Sequence, residues 1–368
     1  MTDALIGFAE RVRAACETGE KLRIRGGGTK AFMAGAADGP TLDLRRHAGV
    51  VDYAPTELVV TARAGTPVVE LERLLAGRGQ CLPFDPPRFP GEDGHPAGTV
   101  GGMVAAGLAG PARAAVGGVR DHVLGALLLN GRGELLRFGG EVMKNVAGYD
   151  VSRLLAGSWG ALGAICEVSL KVMPVPPATL TLRFDMDQAG ALEQLHAWAG
   201  RPLPLNASVW WRGTLAVRLR GAVAAVASAA SRMGGEPIPG HLADAFWDGL
   251  RDQRDEFFAE ARQAVDARRR ALWRLWLPAT APPLPDGDDT MVEWGGAQRW
   301  VVAAADDAQV AAGARRAGGS ALRVAGGLPG KGAFNPEPLA PALLAIHRRL
   351  RESFDPRGVF VPGRPIHF

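Results

Sequence analysis

The spacing of hydrophobic residues in the first 175 positions changes repeatedly between helical and strand patterns. A helix is predicted over residues 4–16, where apolar residues recur every three or four positions, and another over residues 67–75. Alternation of apolar and polar residues predicts strands over residues 21–25, 41–44, 50–53, 58–62, 123–130, 134–138 and 164–172. This mixture of elements predicts an α+β fold.

A proline-rich segment then interrupts both patterns. Three of the five residues at 173–177 are proline, which continues neither a helix nor a sheet, and we place a domain boundary after residue 173. Beyond it we predict strands over residues 179–184, 208–211, 215–219, 271–277, 299–304 and 321–324. Helices are predicted over residues 191–199, 222–233, 243–264 and 338–354, with one more between the last two strands. The second half is therefore also of the α+β type.

The composition indicates a folded protein with an unusual demand for glycine. Hydrophobic residues make up 47% of the 368 positions, which is enough to bury real cores, and glycine accounts for 49 positions. Eighteen of these glycines fall within residues 91–163, a density that is too high for ordinary helices and strands. We infer that something approaches this backbone closely.

Charge and cysteine content argue against several classes of protein. The 42 basic and 38 acidic residues leave a formal charge of +4 spread along the chain, which argues against a nucleic-acid partner. Three cysteines without CxxC spacing argue against a disulfide framework, a zinc site or an iron–sulfur cluster, and favour a reducing compartment, the cytoplasm. No stretch reaches the ~18 apolar residues of a spanning helix, so we expect no membrane span.

A glycine-rich turn after the first predicted strand is the first candidate binding site. Its residues are Arg25, Gly26, Gly27, Gly28, Thr29 and Lys30. Bare backbone amides in such a turn form an anion nest, and glycine lets a pyrophosphate come within hydrogen-bonding distance. A tight loop without a ligand is the alternative interpretation. The turn matches neither the P-loop nor the GxGxxG pattern, which argues against ATP and NAD.

Two further glycine-dense segments indicate a ligand longer than one nucleotide. Their candidate residues are Gly98, Thr99, Gly101, Gly102, Gly118 and Asp121 in the first, and Lys144, Asn145 and Gly157 in the second. Several such loops suit an extended ligand of dinucleotide length, whereas a single nucleotide needs only one loop. Residues 156–160 come close to a GxSxG motif, but the first glycine is misplaced, which argues against a serine hydrolase.

Several ordered segments together resemble the PCMH-type FAD-binding fold of the vanillyl-alcohol oxidase superfamily. They are RGGGTKAF, PTELVVTARAGTPV, GTVGGMVAAGLAGP, GGVRDHVLG, FGGEVMKNVAGYDVSRLLAGSWGALGAICEVSLKVMP and the tail DPRGVFVPGR. Within that superfamily the chain most resembles the family of FAD-binding E subunits of bacterial glycolate oxidases. The resemblance implies an FAD-binding domain of two subdomains over residues 1–173, completed by residues 336–368, and an α+β cap domain over residues 174–335.

The resemblance also implies the residues that hold the cofactor. Those implied for the pyrophosphate are Gly26, Gly27, Gly28, Thr29 and Lys30, and Ile165 would meet the adenine side through its backbone. Those implied for the phosphates and the ribityl chain are Gly98, Thr99, Gly101, Gly102, Gly118 and Asp121. The predicted set is completed by Arg25, Lys144, Asn145 and Gly157. We expect noncovalent FAD, because the phosphate loop offers neither histidine nor cysteine; His95 and Cys81 are the alternative points of attachment. In the tail, Val361 replaces an asparagine that is frequent in the superfamily.

The activity that the resemblance implies is that of an FAD-dependent oxidoreductase subunit in a glycolate, or 2-hydroxy acid, oxidase complex. It implies two partners: a larger FAD subunit that oxidises glycolate to glyoxylate, and an iron–sulfur subunit that carries electrons onward toward quinone. The complex would lie on the inner face of the cell membrane. Two alternatives are a self-sufficient FAD-dependent oxidase of an alcohol or sugar, and a structural subunit whose FAD does not turn over.

Oxidation of a 2-hydroxy acid needs a base, a cation for the carboxylate and a hydride acceptor, here the flavin N5. The seven histidines are scattered and lack metal-ligand spacing, so we expect no metal and name no catalytic residue. Eight of the nine tryptophans fall in the cap. Core packing and subunit interfaces are commoner roles for so large a side chain than substrate stacking, and we interpret the cap as an interface.

Overall fold

The computed structural model of the protein describes residues 2–33, 39–91, 93–140, 150–268, 270–284, 289–304, 307–326 and 340–363. Its helices are α1 (Asp3–Thr18), α2 (Val68–Ala76), α3 (Val100–Ala106), α4 (Arg113–Val116), α5 (Val119–His122), α6 (Val151–Leu154), α7 (Gln188–Ala199), α8 (Val223–Met233), α9 (Gly240–Arg251), α10 (Glu256–Arg268), α11 (Asp307–Arg316) and α12 (Pro341–Phe354). Its strands are β1 (Leu22–Arg25), β2 (Thr41–Asp43), β3 (Val50–Ala54), β4 (Val59–Arg63), β5 (Gln80–Cys81), β6 (Val123–Leu129), β7 (Leu135–Gly139), β8 (Ala164–Lys171), β9 (Met173–Pro174), β10 (Ala178–Asp185), β11 (Leu205–Trp211), β12 (Thr214–Gly221), β13 (Glu236–Ile238), β14 (Arg270–Trp276), β15 (Asp289–Glu293), β16 (Gln298–Ala304), β17 (Ser320–Gly326) and β18 (Phe360–Val361).

The chain divides into two compact units. The first comprises Met1–Leu108, Gly118–Val175 and Pro338–Phe368, and the second comprises Ala109–Gly117 and Pro176–Glu337. The C-terminal part of the chain therefore completes the unit that the N-terminal part begins. The short segment Ala109–Gly117 belongs to the second unit, an excursion that the sequence analysis did not anticipate.

The first unit contains two main sheets. In one of them β1 lies between β18 and β2 and pairs in parallel with both. In the other, β3, β4, β8, β6 and β7 follow one another in this order and all pair antiparallel. The buried face of α1, which includes Leu5 and Val12, shares one apolar cluster with Leu22 of β1 and Phe360 of β18. Separate sheets with helices packed against them confirm the predicted α+β class.

A buried carboxylate fixes the C-terminal segment of the first unit. Asp355 accepts the backbone N–H of Val359 with Oδ1, at 2.7 Å, and the backbone N–H of Phe360 with Oδ2, at 2.9 Å. Gly131, in the turn between β6 and β7, lies so close that a Cβ there would overlap the Asp355 carboxylate. Asp355 thereby holds the turn that leads into β18, the neighbour of β1.

The second unit contains one antiparallel sheet of eight strands. Its strand order is β13, β10, β12, β11, β15, β16, β14 and β17. Helices α7 and α8 contribute Leu195 and Val226 to an apolar cluster with Leu182 and Val217 of the sheet. A second cluster gathers strands β14, β16 and β17 with α11. This unit is also of the predicted α+β type.

The segment Ala109–Gly117 is attached to the second unit by contacts with Trp294. The indole N–H of Trp294 donates to the carbonyl of Gly110 at 3.1 Å. The guanidinium of Arg113, in α4, lies 4.6 Å from the centroid of the same indole ring. A hydrogen bond and a cation–π contact thus explain why this segment leaves the first unit.

The structure corrects three expectations about the second unit. The single helix predicted over residues 243–264 is wrong: α9 and α10 are separate, and Gln253 between them has a φ of +55°. The strands β13 and β15 were not predicted. The expected tryptophan interface is wrong for the five tryptophans that are buried inside this unit, namely Trp198, Trp247, Trp273, Trp294 and Trp300.

Candidate cofactor-binding site

A cavity of about 370 Å³ opens in the first unit, between the end of β1 and the start of α3. Its walls also include residues that follow β18 and the loop that precedes β8. Ten of the sixteen predicted cofactor residues line it: Arg25, Gly26, Gly27, Gly28, Thr29, Lys30, Thr99, Gly101, Gly102 and Ile165. The fold therefore brings together predicted residues that lie up to 140 positions apart, with residues of the C-terminal segment that lie about 200 positions further along.

The two glycine loops lie directly against each other in the cavity wall. A Cβ on Gly26 would overlap the Thr99 hydroxyl, and one on Gly27 would overlap the carbonyl oxygen of Ala97. A Cβ on Gly101 would approach the Cβ of Ala64 to 2.6 Å. These glycines are therefore required for close packing of protein against protein, which differs from the access for a ligand that the sequence analysis inferred.

Thr99 is the N-cap residue of α3, which begins within the second glycine loop. Its Oγ1 accepts the backbone N–H of Gly102 at 3.3 Å, which caps α3. The N–H of Gly101 donates to the carbonyl of Ala64 at 2.9 Å and fixes the first turn against β4. The expectation that glycine density excludes helices is therefore wrong for α3.

Gly28 and Lys30 give the first loop its conformation and its charge. Gly28 has a φ of +73°, a left-handed conformation that favours glycine. The half-buried Lys30 Nζ lies 3.5 Å from the hydroxyl of Thr29. Burial lowers the pKa of Lys30 to about 8, and no neighbouring charge in the described chain contributes to this shift. An anion in the cavity would therefore gain a cation that has lost much of its hydration.

Four predicted residues do not line this cavity. The carbonyl of Gly98 accepts the N–H of Val68 at 2.8 Å, and the N–H of Gly157 donates to the carbonyl of Val104, in α3, at 3.0 Å. The Asp121 carboxylate accepts the N–H of Gly118 at 2.8 Å and caps α5. Their cofactor roles stay predictions. The remaining two residues, Lys144 and Asn145, lie outside the described residues.

The cavity also includes residues that the sequence analysis did not assign to the cofactor. Trp159 lies in the wall, with Val361, Pro362 and Gly363 from the C-terminal segment. The N–H of Gly363 donates to the carbonyl of Trp159 at 2.8 Å. A tryptophan within a glycine-rich loop could have been recognised from the sequence as a candidate cofactor contact. Its hydrogen bond to a segment about 200 positions later could not have been predicted.

The described residues contain no group of three or more histidine, cysteine or acidic side chains that could hold a metal ion. His47 and His122 are buried in the first unit, and the His196 Nε2 lies 2.6 Å from the carbonyl of Ala279 in the second. No catalytic residue is identified among these. No helix within the described ranges has both the length and the apolar composition required to cross a bilayer.

The profile of a family described as an FAD binding domain matches residues 8–139. The chain is 44% identical to the glycolate oxidase subunit GlcE of Escherichia coli over 355 residues. This alignment covers 96% of this chain and 95% of that protein. It is 30% identical to the glycolate oxidase subunit GlcD of Bacillus subtilis over 133 residues, or 36% of this chain and 27% of that protein.

Solved structures of alkyldihydroxyacetonephosphate synthase are similar in fold. Two of them superpose with TM-scores of 0.60 and 0.61 at 16% identity, and cover 96% and 97% of this chain and 73% and 74% of theirs. At this level of identity the likeness concerns the fold alone.

Proposed function

Since this chain belongs to the family of the glycolate oxidase subunit GlcE, we propose that it is the FAD-binding subunit of a complex that oxidises glycolate to glyoxylate. The observation that carries this proposal is the identity of 44%, which extends over 96% of the chain and so includes both units. The match to an FAD binding domain over residues 8–139 identifies the cofactor and contains the two glycine loops.

The cavity has the features that a noncovalent dinucleotide requires. Residues of the 26–29 turn, the start of α3 and Lys30 line one continuous space. Apolar residues, including Ile24, Leu44 and Ile165, line the rest of it. The lining among the described residues offers neither histidine nor cysteine for covalent attachment. These observations support a diphosphate near Lys30 and noncovalent FAD.

When bound, FAD supplies a hydride acceptor whose electrons can pass to a second redox group. The contribution of this chain's residues is to bind and orient it. The amides and Lys30 would hold the negative charge of the diphosphate, and the apolar walls would exclude water from the planar rings.

Two buried arginines of the second unit, Arg274 and Arg299, support a role beside a separate catalytic subunit. A 2-hydroxy acid needs a cation for its carboxylate, but Arg274 donates from Nε to Gln298 Oε1 at 2.6 Å and lies 5.0–5.3 Å from three tryptophan rings. Gln298 in turn donates to Glu293 at 2.6 Å. Arg299 donates to the carbonyls of Ala281 and Pro282. These guanidinium groups are committed to internal contacts.

We therefore assign the oxidation of glycolate to a larger FAD subunit, and this chain's flavin to electron relay or to shaping of the complex. The existence of a related glycolate oxidase subunit, GlcD, supports the larger partner. An iron–sulfur subunit that carries electrons onward, and a peripheral position of the complex on the inner face of the cell membrane, complete the proposal.

Anaerobic addition of glycolate to the purified chain, alone and with the larger subunit, tests this proposal. We expect the visible flavin absorption of this chain to bleach only when the larger subunit is present. Because both subunits carry flavin, the larger one is first reconstituted with a redox-active flavin analogue whose absorption is distinct from that of FAD. Bleaching of the chain alone would instead support a self-sufficient oxidase. A yellow protein that never bleaches would exclude electron relay and would leave this chain's flavin with a role in shaping the complex.

A further inference from the structure

Trp159 combines features that set it apart from the other residues of the cavity. It is the one aromatic residue among the described residues that line this space. Its backbone φ of +50° lies in the left-handed region, which a bulky side chain rarely adopts. The other eight tryptophans of the chain all belong to the second unit. An unusual backbone conformation and the one aromatic residue of the described cavity lining therefore coincide at this position.

The backbone of Trp159 connects two walls of the cavity. Its N–H donates to the carbonyl of Ala105, near the end of α3, at 2.9 Å. Its carbonyl accepts the N–H of Gly363, in the C-terminal segment, at 2.8 Å. Ala105 and Gly363 themselves line the cavity. Both hydrogen-bonding groups of the strained residue are thus used, and they hold it in its left-handed conformation.

Trp159 lies beside two glycines, Gly160 and Gly363. A Cβ on Gly363 would lie 3.3 Å from Cε3 of the indole, so the ring lies against a backbone without a side chain. The next residue, Gly160, has a φ of +79°, and a Cβ there would lie 3.1 Å from the Ile24 side chain in the same wall. The indole and the backbone that follows it therefore lie against neighbours that leave little room for side chains at residues 160 and 363.

We propose that the indole of Trp159 is a stacking surface for a planar heteroaromatic ring of bound FAD. The inference rests on the proposed function and adds to it a cofactor contact made by this chain's own residue. Strained backbone persists where the surrounding structure enforces it, and it concentrates at ligand sites. Aromatic side chains recognise flat heterocycles by stacking, because each ring presents a π face. FAD offers two such rings, the adenine and the isoalloxazine.

The variants Trp159→Gly and Trp159→Phe separate binding from folding. Glycine adopts a φ of +50° without strain, so Trp159→Gly removes the ring but keeps the backbone conformation. Trp159→Phe keeps an aromatic face. We expect the dissociation constant of FAD, measured by equilibrium dialysis of the apoprotein, to rise about tenfold or more in Trp159→Gly. In Trp159→Phe we expect it to rise by less than about threefold.

Fluorescence of the single tryptophan of the first unit provides a second readout. ADP contains the adenine but no flavin, and it does not absorb tryptophan emission, so quenching by ADP excludes energy transfer and reports a change at the indole itself. The Trp159 signal is the difference between the wild-type chain and Trp159→Phe. Quenching by ADP, with weaker ADP binding in Trp159→Gly, would assign the stacking to adenine. Unchanged ADP binding with weaker FMN binding in that variant would assign it to isoalloxazine.

Equal affinities of the wild-type chain and Trp159→Gly for FAD, ADP and FMN, in a variant that unfolds at the wild-type temperature, would overturn the stacking proposal. That result would leave the proposed function intact, because the wild-type chain would still bind FAD. A wild-type chain that binds no FAD at all would instead contradict the proposed function. If Trp159→Gly does not fold, Trp159→Leu, which keeps an apolar side chain without a ring, takes its place with the same expected loss.

Discussion

Replacement of Lys30 by methionine tests the electrostatic half of the cofactor site. Lys30 is the one lysine that lines the cavity among the described residues, and methionine preserves most of its apolar stem. A hydrogen bond to a charged group contributes about 1.5–3 kcal/mol, so its loss corresponds to a roughly 10- to 150-fold weaker affinity. We expect Lys30→Met to raise the FAD dissociation constant within this range, as measured by equilibrium titration of the apoprotein.

The pH dependence of FAD affinity is a second test of the Lys30 ammonium. Burial lowers the pKa of Lys30 to about 8 in the free protein, and a bound diphosphate would raise it again. Binding therefore takes up a proton above pH 8, so affinity should be level below about pH 8 and fall as the pH rises further. The slope is at most about tenfold per pH unit. Lys30→Met should abolish this slope.

Lys171→Met is the matched control, because Lys171 lies on β8 in the same unit but does not line the cavity. ADP serves as a second probe, since it carries a diphosphate without a flavin ring that titrates at high pH. An affinity that falls equally with pH in the wild-type chain and in Lys30→Met would refute the assignment of Lys30 to the diphosphate.

Three further predictions concern packing and buried charge. Gly27→Ala should lower the flavin content and the melting temperature, with a loss of about 1–3 kcal/mol or more in stability, because the added methyl group would overlap the Ala97 carbonyl. Gly7→Ala is the control, because Gly7 has open space around it and its substitution should lower neither quantity. Asp355→Asn should destabilise the first unit by about 1.5–3 kcal/mol and expose residues 360–363 to proteases, since the carboxylate accepts two backbone N–H groups; resistance equal to wild type would contradict this role. Burial raises the pKa of Glu293 to about 7, so the stability that protonated Glu293 contributes is complete below about pH 4.5 and is lost as the pH rises through 7. At pH 8, Glu293→Gln should therefore be more stable than the wild-type chain, by on the order of 2 kcal/mol in chemical unfolding. A difference in stability between the two chains that is the same at pH 4 and pH 8 would refute this prediction.

The cofactor loops were predictable because their signals are local. A strand followed by three glycines and a lysine is readable over six positions, and the α3 loop over five. The structure places both loops in one wall, where Gly26 and Gly27 pack against residues 97–99. The reason for these glycines was not predictable, because it depends on a contact between segments 70 positions apart.

Features that depend on tertiary contacts escaped the sequence analysis. The residues from 243 to 264 have continuous helical spacing, yet Asp255 accepts the N–H of Phe258 at 3.0 Å and begins a new helix. The excursion at 109–117 depends on Trp294, far along the chain. Trp159 was visible as an aromatic residue, but its left-handed backbone and its hydrogen bond to Gly363 exist only in the folded chain.

The most direct test of cofactor binding is the stoichiometry of FAD in the purified chain. The protein is denatured, and the released flavin is identified and counted against protein concentration; apoprotein is then titrated with FAD. We expect one FAD per chain that is released without covalent attachment, and a single site that binds FAD again and that Lys30→Met weakens. A chain that carries no flavin and binds none on titration would contradict the central claim.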